Sequence, residues 1–121
     1  MFNLKDKTMN QEINIIRQFK EKSSGYSFIY TYVFFTFKGK LYKARYTDTR
    51  HNLHDFEDDD AAIYVYDEKS SDWHRFINNA YIESVAGKDF NGKSNDEKVV
   101  ADYFHACYIA VKELTSNQPL A

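Results

Sequence analysis

The chain has 121 residues, of which 43% are hydrophobic and 28% charged, and a formal net charge of −2. Four Gly and a single Pro exclude a collagenous or low-complexity chain, and the apolar content excludes a disordered one. One cysteine excludes an intrachain disulfide, and no apolar stretch reaches the roughly 20 residues that a membrane-spanning helix needs. The length suits one domain over 1–121, enough to bury a core without staples. The opening "MFNLKDKTMNQE" is charged and lacks the apolar run of a signal peptide. Together with the lone cysteine, this gives the expectation of a cytoplasmic protein. The charge is split along the chain: residues 1–54 carry +6 and residues 55–121 carry −8. Such a split can steer a charged partner, unless the halves interleave in the fold and the field averages out.

Residues 8–22, "TMNQEINIIRQFKEK", predict a short amphipathic helix. Thr8 and Gln11 fit a capping box, and Met9, Ile13, Ile16 and Phe19 recur at helical spacing. Gly25 in "SSG" marks its end. Strands follow over 26–37 and 40–48, joined by a tight turn at Lys38-Gly39. If Phe37 faces Lys40, then Phe35 faces Tyr42, Val33 faces Ala44 and Thr31 faces Tyr46. That set, with Ile29, is the expected core face. Phe28, Tyr30, Tyr32 and Phe34 then stand on the other face, opposite Leu41, Lys43, Arg45 and Thr47. A one-residue slip would exchange the two faces.

"RHNLHDFEDDD" at 50–60 is a polar, acidic connection. A third strand is expected over 61–66, a turn over 67–72 and a fourth strand over 73–77, with Trp73 as a core ring at its start. Asn78-Asn79 predicts a turn into a fifth strand over 81–85. The last element is a helix over 95–114, opened by a Ser94–Glu97 capping box. Its stripe is Val99, Val100, Tyr103, Phe104, Cys107, Ala110, Val111 and Leu114. Residues 115–121 form a tail. The sum is an α+β, two-layer domain, with an antiparallel β-meander of about five strands flanked by an N-terminal and a C-terminal helix.

Three clusters are candidate sites. Tyr30, Tyr32, Phe34, Lys43 and Arg45 make a ring-and-cation face suited to a protein partner, since Tyr and Arg are favoured at interface centres. The same face could stack the bases of single-stranded nucleic acid. Against that stand the slightly acidic whole and the lack of RNP-like, KH or zinc-finger patterns. The plainer reading is that a helix covers these rings and the cation stems pack along them. Asp55, Glu57, Asp58, Asp59 and Asp60 could attract a basic protein or a hard cation. No Gly lies in that run, so the EF-hand pattern is absent, and a solvated loop explains it equally well. His51 and His54, with His74, could share a metal, but no third ligand or HExxH motif supports this, and no metal or other cofactor is expected.

Catalytic signals are weaker still. Cys107 sits on an apolar helical stripe and His105 points elsewhere on the helix, so the two make no dyad. No nucleophile elbow, P-loop or dinucleotide-binding glycine pattern is present, and "AGKDFNGK" has the wrong spacing for a phosphate cradle. The expectation is a non-catalytic protein-binding domain of inhibitor, immunity or accessory type, such as phages and mobile elements encode. It binds a protein through the Tyr/Arg-rich sheet face or the acidic loop, has no membrane association, and can form a homodimer if a long strand lies at a sheet edge. Nucleic-acid binding on the 28–45 hairpin is the alternative. A small-molecule pocket between sheet and last helix, or an enzyme, is the third reading.

Overall fold

Lys38 and Gly39 are the pivot of the sheet. Both have positive φ, 52° and 78°, in the computed structural model. This is the geometry of a two-residue hairpin turn whose twist matches its strands. Gly39 accepts it without strain, and Lys38, in the left-handed region, extends its exposed side chain over the ring of Phe37 (Nζ 5.4 Å from the centroid). The turn joins β2 (Ile29–Phe37) to β3 (Lys40–Thr47). It sets the predicted register: Phe37 opposite Lys40, Phe35 opposite Tyr42, Val33 opposite Ala44, Thr31 opposite Tyr46. The structure describes residues 12–22, 29–47, 61–90 and 96–116.

The register sorts every side chain of the hairpin. Thr31, Val33, Phe35, Phe37, Tyr42, Ala44 and Tyr46 are buried. Tyr30, Tyr32, Phe34, Lys43 and Arg45 on the opposite face are half-buried. Strands β4 (Ala61–Asp67) and β5 (Asp72–Asn78) continue the meander. With β1 (Asn14–Lys22), the sheet has five antiparallel strands in the order β1-β2-β3-β4-β5.

Two predicted elements change type. Residues 14–22, expected within a helix over 8–22, form strand β1, and residues 8–11 lie outside the described residues. Helical spacing of Ile13, Ile16 and Phe19 loses to pairing with the long flank of β2. The segment is rich in β-branched Ile, and Phe19 stacks on both Tyr32 and Phe34 at 5.3 and 5.8 Å. The second change is at 81–85, expected as a strand, which lies inside helix α1 (Asn79–Ala86). Asn78 is its N-cap and accepts from the Tyr81 amide at 3.0 Å. Gly87, at φ 72°, ends it, donating its amide to the Glu83 carbonyl at 2.8 Å. Tyr81, Ile82, Val85 and Ala86 then fall on one helical face, with Ile82 fully buried.

Helix α2 (Glu97–Ser116) follows. Asp96 caps it, its Oδ1 accepting from the Lys98 amide at 2.9 Å. Ser94, expected in that role, lies outside the described residues. The stripe is the predicted one: Val100, Tyr103, Phe104, Cys107, Ala110 and Val111 are buried, and Val99 and Leu114 pack at its margin. Both helices lie on the core face of the sheet. Edge-to-face rings bind the layers: Phe35 with Tyr108 at 5.1 Å, Tyr46 with Tyr103 at 5.0 Å and Phe90 with Tyr103 at 5.1 Å. The buried Tyr103 hydroxyl donates to Asn79 Oδ1 at 2.6 Å and ties α2 to α1. No helix among the described residues is long and apolar enough to cross a membrane.

The face assignment predicts unequal costs for two adjacent rings. Phe35→Ala empties a core position and should cost about 3–5 kcal/mol. Phe34→Ala, on the half-exposed face, should cost well under half of that in the same urea titration; equal costs would contradict the register. The buried rings also predict alkaline unfolding. Burial pushes the acids of Cys107, Tyr103 and Tyr42 upward, and that of Tyr108 to about 12. The unfolded chain therefore releases these protons first, from 9.0 for the thiol and 10.0 for the phenols. Stability from these groups is intact below that range and falls as pH rises through it. Lys43, held below its ordinary value, acts oppositely, but it is one group against five, since the Tyr32 phenol is raised as well. Urea midpoints should be level up to about pH 9 and then drop; a midpoint still level at pH 11 would contradict this.

Candidate functional site

Pairing across the sheet fixes who stands on the face away from the helices. Opposite Phe34 is Arg17, opposite Tyr32 is Phe19, and opposite Tyr30 is Glu21. On the other side Lys43 stands opposite Phe34 and Arg45 opposite Tyr32. Tyr64 stands opposite Lys43, Arg75 opposite Tyr64, and Trp73 opposite Tyr66. The five predicted residues Tyr30, Tyr32, Phe34, Lys43 and Arg45 are thus brought together. They are joined by rings and cations from three more strands: Phe19, Tyr64, Tyr66, Trp73, Arg17 and Arg75. Against these cations Glu21 is the acid that the register places among them.

The rings form a continuous row. Tyr30 meets Tyr32 at 6.2 Å, and Tyr32 stacks on Phe19. Phe19 stacks on Phe34, Phe34 meets Trp73 at 5.9 Å, and Trp73 meets Tyr66 edge-on at 5.3 Å. Phe34 and Trp73 come from strands three positions apart, a separation of about 14 Å in a flat sheet. Their side chains therefore lie down across the sheet, over Lys43. Trp73, expected in the core, belongs to this outer face. The strand start was read correctly, but the register shift between Ile63 and Tyr64 interrupts alternation along β5, so the indole points away from the helices although Ile77, of the same parity, is buried.

The cations are seated on the rings. Lys43 Nζ lies 4.6 Å from the Trp73 ring and 5.0 Å from the Tyr64 ring. The Arg45 guanidinium lies 5.2 Å from Tyr30, and that of Arg17 lies 4.6 Å from Phe19. These contacts hold flexible side chains in fixed places and cover apolar carbon with their stems. Burial, aided by the neighbouring Arg45 charge, holds the Lys43 ammonium below its ordinary value. Burial raises the Tyr32 phenol, and Arg45 opposes that rise. Both shifts mark a partly desolvated face.

The other candidates separate from this face. Asp55, Glu57, Asp58, Asp59 and Asp60 lie outside the described residues, as do His51 and His54. His74 belongs to the β4–β5 turn, where its Nε2 lies 3.2 Å from Ser70 Oγ and 3.4 Å from Asp67 Oδ2. Among the described residues no group of three His, Cys, Asp or Glu could hold a metal ion. Cys107 is fully buried and burial pushes its thiol up, which disfavours the reactive thiolate, while His105 on the same helix is exposed. Between sheet and last helix the space is filled by Phe35, Tyr42, Tyr46 and Tyr103. A groove of about 410 Å³ opens at its margin, under β1, between Gln18 and Lys20 on one side and Glu97, Phe104 and His105 on the other. Compared with protein-family models, curated proteins and solved structures, the chain matches none.

Sequence reasoning found the hairpin part of the face and missed its margins. The signal for Tyr64 and Tyr66 was available in their period-two spacing within β4, while that for Trp73 was masked by the irregularity in the β4–β5 pairing. Phe19 was hidden by the helical reading of β1.

The cation seats predict a measurable coupling. In a double-mutant cycle on Lys43→Ala and Trp73→Ala, unfolding should show a coupling of about 0.5–1 kcal/mol. Strict additivity would show that the ammonium is not held by the indole.

Proposed function

We propose that the protein acts by binding, without chemistry of its own, and that its partner is another protein seated on the outer face of the sheet. The observation that carries this reading is the row of rings from Tyr30 to Tyr66 with cations fixed among them, on the face opposite both helices. Aromatic residues and Arg at the centre of a patch are the composition of interface hot spots. Side chains already held in place lose little freedom on binding, so the face is prepared for a partner. The local excess of Arg17, Lys43, Arg45 and Arg75 over Glu21 favours a partner with an acidic surface. An accessory or inhibitory subunit fits such a module, and the cytoplasm suits its single buried thiol.

The same cation excess favours single-stranded nucleic acid as the second reading. Base stacking needs free ring faces. Here the faces of Phe19, Tyr30, Tyr64 and Trp73 are already taken by cations. That weighs toward protein.

The test is capture of partners by the tagged protein from the cells that encode it, with and without nuclease. A partner protein should survive nuclease and should be lost with Tyr32→Ala/Arg45→Ala, a variant whose far-UV spectrum stays native. Trp73 is the only tryptophan, so its fluorescence should shift when the purified partner is added. Recovery that depends on intact nucleic acid would move the reading to the second alternative. Capture unaffected by the double variant would refute this face as the site.

A further inference from the structure

The sheet ends at β1, whose outer edge has no strand partner among the described residues. Nine residues long, it exposes a row of backbone donors and acceptors. Ile15 and Ile16 within it are 53% and 57% exposed, the large hydrophobic residues most open to solvent among those described. We propose that this edge pairs antiparallel with the β1 edge of a second copy, about a twofold axis through Phe19, to make one ten-stranded sheet. The inference does not depend on the reading of the outer face given above.

Charge chooses the second copy and its register. A twofold through Phe19 sets residue 17 opposite 21, 18 opposite 20, and 19 opposite itself. On the outer face Arg17 then stands opposite Glu21 of the other copy, twice by symmetry, with Phe19 opposite Phe19 between them. On the helix side Gln18 stands opposite Lys20, also twice. No like charges face each other from Arg17 to Glu21. A shift of the axis by half a residue toward Gln18 would set Arg17 against Lys20, a like-charge pair that costs free energy. Cations on an edge strand commonly keep other strands away, and the irregularity between Ile15 and Arg17 interrupts the ladder to β2 and bends β1 there. Both devices leave the segment 17–21 available only to an edge that offers an acid opposite Arg17 and a ring opposite Phe19. β1 itself offers both. The rows of rings in the two copies would meet at Phe19, and the grooves under each β1 would adjoin across the axis.

Sedimentation equilibrium on the full chain at submillimolar concentration should give twice the 14.3 kDa chain mass. Glu21→Lys places like charges across the axis at both symmetry-related sites and should weaken the dimer about tenfold or more. The swap Arg17→Glu/Glu21→Arg should restore it. Phe19→Cys should cross-link to itself on mild oxidation, because directly opposed positions lie within disulfide reach, while Gln18→Cys should not. Cys107 is buried and does not compete. A wild-type monomer throughout that range would overturn the proposal. So would a dimer that Glu21→Lys leaves intact, or a failure of Phe19→Cys to cross-link.

Discussion

The two-residue turn at Lys38-Gly39 is the constraint on which the rest of the molecule depends. Side chains alternate across a strand, so the register of one hairpin decides which set of rings meets the helices and which meets the surroundings. With Phe37 opposite Lys40, the helix side receives Thr31, Val33, Phe35, Tyr42, Ala44 and Tyr46. A slip of one residue, with β2 kept in place, would send Lys43 and Arg45 into the core beside Phe35 and leave Tyr42 and Tyr46 outside. The cost of burying two unpaired cations would be several kcal/mol each. Hydrophobic pattern and turn geometry therefore agree, and each makes the other more secure.

That choice leaves a problem on the outer face, where seven rings remain after the core is filled. The chain manages them by laying the rings on one another and setting cations over them. Lys43 against Trp73 and Tyr64, Arg45 over Tyr30 and Arg17 over Phe19 each cover aromatic carbon with a charged side chain. The result is a surface that tolerates water yet is ready to exclude it. A face built only for solubility would be expected to carry shorter, more hydrated side chains with acids interspersed among the cations. Among the described residues Glu21 is the acid that the register places on this face, and the charge split seen along the sequence becomes here a local excess of cations.

Much of this was legible in the sequence, for physical reasons that differ from element to element. The hairpin was legible because Lys-Gly between two alternating aromatic runs leaves few ways to turn. Helix α2 was legible because its apolar residues keep helical spacing over twenty residues, a signal too long to arise by accident. Strand β1 was not, because an edge strand exposed on both faces leaves no alternation, and its few apolar residues happened to fall at helical intervals. Helix α1 was not, because eight residues give only two turns of pattern. Its real signals were Asn78 and Gly87, which are capping residues as well as turn residues. Trp73 was misplaced because strict alternation from Ile77 puts it inside, whereas the irregularity in the β4–β5 pairing between them turns it outside.

The most direct test of the two-faced sheet is the effect of a soluble paramagnetic probe on the ring resonances of the tyrosines and the tryptophan. Tyr30, Tyr32, Tyr64, Tyr66 and Trp73 should all broaden strongly, while Tyr42, Tyr46 and Tyr103 keep their linewidths. Equal broadening of the two sets, or protection of the first set in the isolated chain, would contradict an open aromatic face and with it the account built on that face.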